Sequence, residues 1–226
     1  MKRGFVRAAF GDVRSPTFMP EIIRVIKCPF TLPFVTYVFG KDNYDCLKKM
    51  GLKCVLIHPH PYMFEEWCRY RNKIEAYRYA MEEDGYDEMV FLDWDCIPVK
   101  PLHRNFWQEM GKKECIQGNL YNLTRFTTPW RISDRSCSIN TGFLYIRNKL
   151  IPSQIIKAWD SFPVRHRWRK NDEIATAHFI DEMTRGWVGK EKWWDRFEPY
   201  CCNIASMAAY PDKLLKTKDV CFIHDV

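Results

Sequence analysis

The chain has 226 residues, 46% hydrophobic and 15% aromatic, with 35 basic against 28 acidic residues and a formal net charge of +7. At this length roughly 70% of the unfolded surface can be buried, so a core forms without a disulfide framework or a structural metal, and the ring content excludes a disordered chain. The excess of positive charge suits an anionic ligand but falls short of the footprint of a dedicated nucleic-acid binder.

In chain order, residues 5–10 predict a first strand stopped by Gly11 and Asp12, and residues 34–39 a second ended by Gly40. Asp42 or Asn43 is expected to cap a helix over residues 44–50, with Gly51 where a left-handed C-terminal cap belongs. Residues 53–57 read as a third strand. Between residues 65 and 82, Trp67, Tyr70, Ile74, Tyr77 and Met81 recur at helical spacing, with Arg69, Arg71, Lys73 and Arg78 off that stripe. This predicts an amphipathic crossover helix ended by Gly85. The apolar run at residues 89–92 is short enough for a central parallel strand, and the alternation implies a doubly wound α/β sheet. The second half predicts strands at 115–117 and 142–146, a helix over 152–162 opened by Pro152, and a helix over 172–184 with an acidic start. With no repeat, low-complexity tract or flexible linker, residues 1–226 are expected to form one domain whose halves, 1–102 and 103–226, enclose a cleft.

Ten cysteines are scattered, and no Cys-x-x-Cys pair occurs, which removes support for a zinc ribbon or a thioredoxin-type site. The N-terminal apolar run is broken by Arg7 and lacks a signal-peptide core, and no stretch approaches the length of a membrane span. A cytoplasmic location with reduced cysteines is the expectation, and the sequon at Asn122 is expected to carry no glycan.

The chemistry concentrates in Phe91-Leu92-Asp93-Trp94-Asp95-Cys96, a buried apolar strand ending in two carboxylates one residue apart. Carboxyl ends of strands line the binding crevice of an open α/β sheet. Alternate residues of an extended chain point the same way, so the two carboxylates can share one hard divalent cation. A bare Asp-x-Asp is common in solvated turns; its place after an apolar strand and before Ile97-Pro98-Val99 favours the metal.

The stretch from Lys73 through Asp93-Trp94-Asp95 to Pro101-Leu102 resembles the metal-dependent nucleotide-sugar glycosyltransferases of the GT-A fold, especially the small glycogenin-like and phage-type members. The resemblance implies a Rossmann-like mixed sheet with helices on both faces, a nucleotide-sugar-binding half over residues 1–102 and an acceptor-side half over 103–226. Asp93 and Asp95 match the motif that holds manganese or magnesium on the diphosphate of a sugar nucleotide, implied here to be a UDP-sugar. The segment containing Phe39, Gly40, Asp42 and Tyr44 looks like the one that cradles base and ribose, Lys73 matches a basic donor contact, and Trp94 is carried with them as a donor contact. Asn140 and Gly142 look like the strand start beside the donor sugar. Asp172 and Glu173 resemble the acidic helix start near the reacting centre, as catalytic candidates, and His224 resembles the late histidine that completes the metal site. The chain ends at Val226, so the glycine and lysine that follow this histidine in glycogenin-like enzymes are missing. The strand at residues 5–10 precedes the matched base-binding segment and leaves open which of the two strands faces the nucleotide.

A cation held at the diphosphate stabilises the charge it gains as the anomeric carbon departs. Two carboxylates with an imidazole suit manganese better than calcium. Asp172 or Glu173 then orients donor hydroxyls or takes the acceptor proton, with inversion and retention both open. The tract with Arg165, Arg167, Trp168 and Arg169, followed by Trp193 and Trp194, mixes cations with indoles and suits phosphates and exposed bases. With the phage-type resemblance it makes DNA carrying a hydroxymethylated pyrimidine a candidate acceptor, such a base being flipped out of a duplex. Protein, small glycan and lipid-linked acceptors stay open, as do a nucleotidyltransferase, which lacks its usual Gly-rich phosphate loop here, and a non-enzymatic nucleic-acid-binding module.

Overall fold

A computed structural model describes residues 1–58, 69–102, 104–111, 117–120, 139–161, 201–203 and 222–224, with the backbone alone described at 117–120, 139–140, 201–203 and 223–224. The expected helix over 172–184 lies outside these residues. The first half alternates β1 (Arg3–Ala9), α1 (Phe18–Lys27), β2 (Phe34–Phe39), α2 (Lys41–Lys49), β3 (Cys54–Ile57), α3 (Arg71–Arg78) and β4 (Glu88–Leu92). The described second half adds β5 (Cys96–Pro98), α4 (Phe106–Met110), β6 (Gln117–Leu120), β7 (Ile139–Ile146), α5 (Ile151–Ser161), β8 (Cys201–Asn203) and β9 (Phe222–His224).

The main sheet has the order β3-β2-β1-β4-β7-β6. Strands β1 to β4 are parallel, while β7 runs antiparallel to β4 and β6 antiparallel to β7. This is the expected α/β class with a mixed sheet. A second sheet, β5-β9-β8, was not legible in the sequence; β9 pairs antiparallel with β5 and parallel with β8.

Alternation along β1 sorts the two faces. Val6 and Ala8 join Tyr37, Phe39, Phe91 and Leu144 under α3 and α5. Phe5 packs with Val90, Leu92, Phe143 and Phe222, and Ala9 with Val38, Trp94 and the buried residues of α1 and α2, on the opposite face. Helices therefore cover both sides, and the buried strands are mainly apolar in both directions, with Arg7, Thr36 and Glu88 as buried polar exceptions.

Several local expectations change. Helix α1 is additional to the predicted elements; its Pro20 sits in the first turn, where a missing N–H costs nothing. Helix α2 starts from Gly40, at φ 93°, without a side-chain cap. Asn43 instead donates to the carbonyls of Gly11 and Phe39, at 2.6 and 3.0 Å. Its far end is as expected: Gly51, at φ 82°, donates to Lys48 O and Leu52 donates to Leu47 O, which satisfies the last carbonyls.

Helix α3 is the larger correction. It is not amphipathic, because all seven residues from Arg71 to Tyr77 are buried. Its charges are tolerated because they are paired. Arg71 reaches Glu75 and Asp160 of α5, Arg78 reaches Glu75 at 2.9 Å, and Lys73 reaches across to the end of β4. The helix runs on into a π-helical turn over Tyr79–Glu83 that Gly85, at φ 68°, terminates.

Candidate active site

Strand β1 continues leftward to β2 and β3 while β4 lies on its other side, so the strand order reverses between β1 and β4. At such a switch point the connections leave to opposite sides and open a crevice at the carboxyl ends of the strands. Residue pairs from Arg3↔Glu88 to Val6↔Phe91 put the end of β1 level with Asp93. The segment after β1, with Phe10, Gly11 and Asp12, therefore borders the crevice, and β2 lies one strand farther away.

Asp93 follows β4 directly. Its N–H donates to Gly142 O of β7 at 2.8 Å, and its carbonyl accepts the Cys96 N–H at 3.0 Å, closing a turn over residues 93–96. Its side chain faces α3, where the Lys73 ammonium donates to Asp93 Oδ2 at 2.7 Å and to Thr141 Oγ1 at 3.1 Å. Lys73 keeps only 5% of its surface exposed and Thr141 none. Asp95, two residues on, is half-buried like Asp93.

Trp94, between the two carboxylates, points the other way. It is buried, its Nε1–H donates to Ala8 O at 2.8 Å, and its ring meets Phe18 and Phe34 edge-on at 5.8 and 5.9 Å. The turn over residues 93–96 carries its ring to the α1 and α2 side, where it packs as a buried residue. Phe39 is likewise buried in the core under α3, and Tyr44 packs half-buried on α2 between Lys41 and Lys48. Gly40 and the exposed Asp42 open α2 at the end of β2. Gly142 lies against Asp93, and Asn140 is four residues before Leu144 on the same strand, paired with Asn119.

The residue that sequence reasoning missed is Arg7. It is 2% exposed on β1, its Nη1 donates to Asp93 O, and its Nη2 donates to Cys96 O at 2.9 Å. Burial pushes its guanidinium down to about 10, opposed by Cys96, Asp93 and Asp95, so it stays cationic at neutral pH. The available signal was a lone cation inside Phe5-Val6-Arg7-Ala8-Ala9: a charge on a buried strand must find acceptors.

Strand β9 brings the chain's end to this place. His224 is the register partner of Cys96, the residue after Asp95. Among the described residues, no group of three or more His, Cys, Asp or Glu side chains is gathered closely enough to hold a metal. Asp172, Glu173, Arg165, Arg167, Trp168 and Arg169 lie outside the described residues. No described helix is long and apolar enough to cross a membrane.

No protein-family model matches the chain, and no curated protein matches it. Solved structures do. A glycosyltransferase involved in glycosylation of the major capsid of PBCV-1 superimposes with a TM-score of 0.54 at 13% identity, over 99% of this chain and 92% of that one. The galactosyltransferase LgtC, in complex with donor and acceptor sugar analogs, gives 0.54 at 12% identity, over 97% and 86%. The glycosyltransferase GlyE of Streptococcus pneumoniae TIGR4 gives 0.55 at 14%, over 100% of this chain and 55% of that one. At these identities the likeness is one of fold, and the chain has the GT-A fold of these glycosyltransferases.

Proposed function

We propose that the protein is a metal-dependent glycosyltransferase that moves a sugar from a nucleoside-diphosphate sugar, a UDP-sugar in the first instance, to a hydroxyl acceptor. The observation that carries this reading is the pair Asp93 and Asp95 at the end of β4, beside the switch point, with His224 in register across from the following residue. Two carboxylates and an imidazole form a donor set that suits manganese or magnesium. A divalent cation held there supplies charge to the departing diphosphate.

The chain's own residues prepare the site for a metal and a diphosphate together. The carboxylates of Asp93 and Asp95 are already offset by two buried cations, Lys73 and Arg7. A bare dication would unbalance them, whereas a dication carrying a diphosphate would not. Lys73 fixes Asp93 from the α3 side and adds positive charge beside the leaving group. The β1 end and the Gly40 turn, joined through Asn43, border the nucleotide. Asp172 and Glu173 act on the donor sugar or the acceptor.

Two acceptor classes remain distinguishable by experiment. One solved relative is named for glycosylation of a capsid, and another was captured with sugar analogs; these favour a protein or glycan hydroxyl. The basic, indole-bearing tract at Arg165, Arg167, Trp168 and Arg169 favours hydroxymethylated DNA on sequence grounds. The decisive test of the transfer reading is incubation with a panel of sugar nucleotides and manganese, reading released nucleoside diphosphate by mass spectrometry. Release from none of them, with and without candidate acceptors, refutes it. Fluorescence anisotropy with hydroxymethylpyrimidine DNA at several salt concentrations separates the acceptors, and no binding at low salt leaves protein or glycan.

A further inference from the structure

We propose that Arg7 is the positioning residue of the Asp93 and Asp95 centre, a two-point brace that fixes the turn from which both carboxylates project. The inference rests on the reading of that turn as the metal-binding element and adds a residue to it. Three observations converge. The guanidinium spans the turn, donating to the carbonyls of its first and fourth residues, Asp93 and Cys96. It lies beside two aromatic rings, 5.1 Å from the Phe34 centroid and 5.3 Å from that of Trp94, so cation–π contacts with both add to the two hydrogen bonds that hold it. The next residue on β1, Ala8, accepts the Trp94 indole N–H, so the same strand grips the middle of the turn as well.

The turn is also held by its own Cys96 N–H to Asp93 O bond and by the Asp93 N–H to Gly142 O bond, and Arg7 adds the link from it to β1. Its carbonyls lie where β4 has ended and β5 has just begun, beyond the ladder with β1 that stops at Val6↔Phe91. An arginine suits the task because its planar fork bonds two acceptors in fixed geometry, whereas an ammonium is a point donor. Arg7 also couples the two sides of the crevice: it stands on the strand leading to Gly11 and holds the strand end carrying Asp93. Because it bonds backbone carbonyls and not a ligand, its effect falls on how the carboxylates are presented.

The test uses the full chain with Arg7→Lys, which keeps the cation and loses the two-point geometry. One readout is hydrogen exchange at the Cys96 amide, followed in peptides covering residues 92–98. The other is calorimetric titration of manganese in the presence of UDP. The expected result is a cooperative melt, faster exchange confined to this turn, and manganese affinity lower by about 10- to 100-fold, as when the support of a metal ligand is removed. Unchanged exchange and affinity in the folded variant overturn the proposal. Should Arg7→Lys fail to fold, guanidinium NMR of the unmutated protein replaces it: separate, slowly exchanging Nη–H signals are expected from a held fork, and averaged signals overturn the brace. If the unmutated protein binds no manganese with any nucleoside diphosphate, the glycosyltransferase reading fails by itself, while the exchange result still decides whether Arg7 holds the turn.

Discussion

Replacing Lys73 by Met tests the link between helix α3 and the candidate site. Met keeps an unbranched side chain and removes the ammonium, which stands 5.2 Å from the Phe91 ring centroid and bonds Asp93 Oδ2 at 2.7 Å and Thr141 Oγ1 at 3.1 Å. Breaking a buried ion pair by deleting one partner costs about 3–5 kcal/mol, because the remaining charge stays desolvated. Here the Lys73 side chain is 6% exposed but that of Asp93 is 31% exposed, so water recovers part of the loss. About 2–3 kcal/mol is therefore expected. At this chain length that lowers Tm by about 4–12 °C. Urea unfolding without metal, analysed at constant m, measures it. Adding Asp93→Asn removes the stranded charge, so the double variant is expected to be more stable than Lys73→Met alone, a coupling that a double-mutant cycle reads directly. A loss below about 0.5 kcal/mol, within the range of ordinary surface substitutions, or strict additivity of the two changes, would refute the reasoning.

Asp95→Asn is expected to abolish manganese-supported binding of nucleoside diphosphate with little change in Tm, since it removes a charge at a half-buried strand end; unchanged calorimetric affinity in both this variant and Asp93→Asn defeats the metal assignment. Gly51→Ala meets no atom within 4 Å but must hold φ 82°, so a loss of about 1–2 kcal/mol by urea unfolding is expected from backbone conformation alone. Burial pushes the Cys54 thiol up to about 11, which leaves about one thiolate in a thousand at pH 8. Cys54 is expected to react with iodoacetamide far more slowly in the native protein than in urea, as peptide mass mapping after a timed quench will report.

Much of the first half was legible in the sequence because its signals are local. Strands β2 and β4 are continuous apolar runs bounded by turn residues, and Gly51 and Gly85 stand where only a left-handed residue closes a helix. The Asp93 and Asp95 pair was legible for the same reason: a carboxylate cannot continue a buried strand, so its position marks the strand's end and the edge of a crevice. The order of strands was not local. Nothing in residues 3–9 or 34–39 says which strand lies beside β4; the pairing of β1 with both β2 and β4 decides it, and moves the crevice to the segment after β1.

Helix α3 and Arg7 make the same point from the side of charge. Helical spacing turns Arg71 and Lys73 off the apolar stripe, because an isolated charge is expensive to bury, and the sequence leaves Arg7 unexplained within an apolar strand. Their partners are remote in the chain: Asp160 for Arg71, Asp93 and Thr141 for Lys73, the carbonyls of Asp93 and Cys96 for Arg7. The sequence by itself determined the strands β1 to β4, helix α2, strand β7, helix α5 and where the carboxylates fall, but not α1 or the second sheet. Only the tertiary structure decided which charges could be buried, because a charge enters the interior only when folding brings it an acceptor.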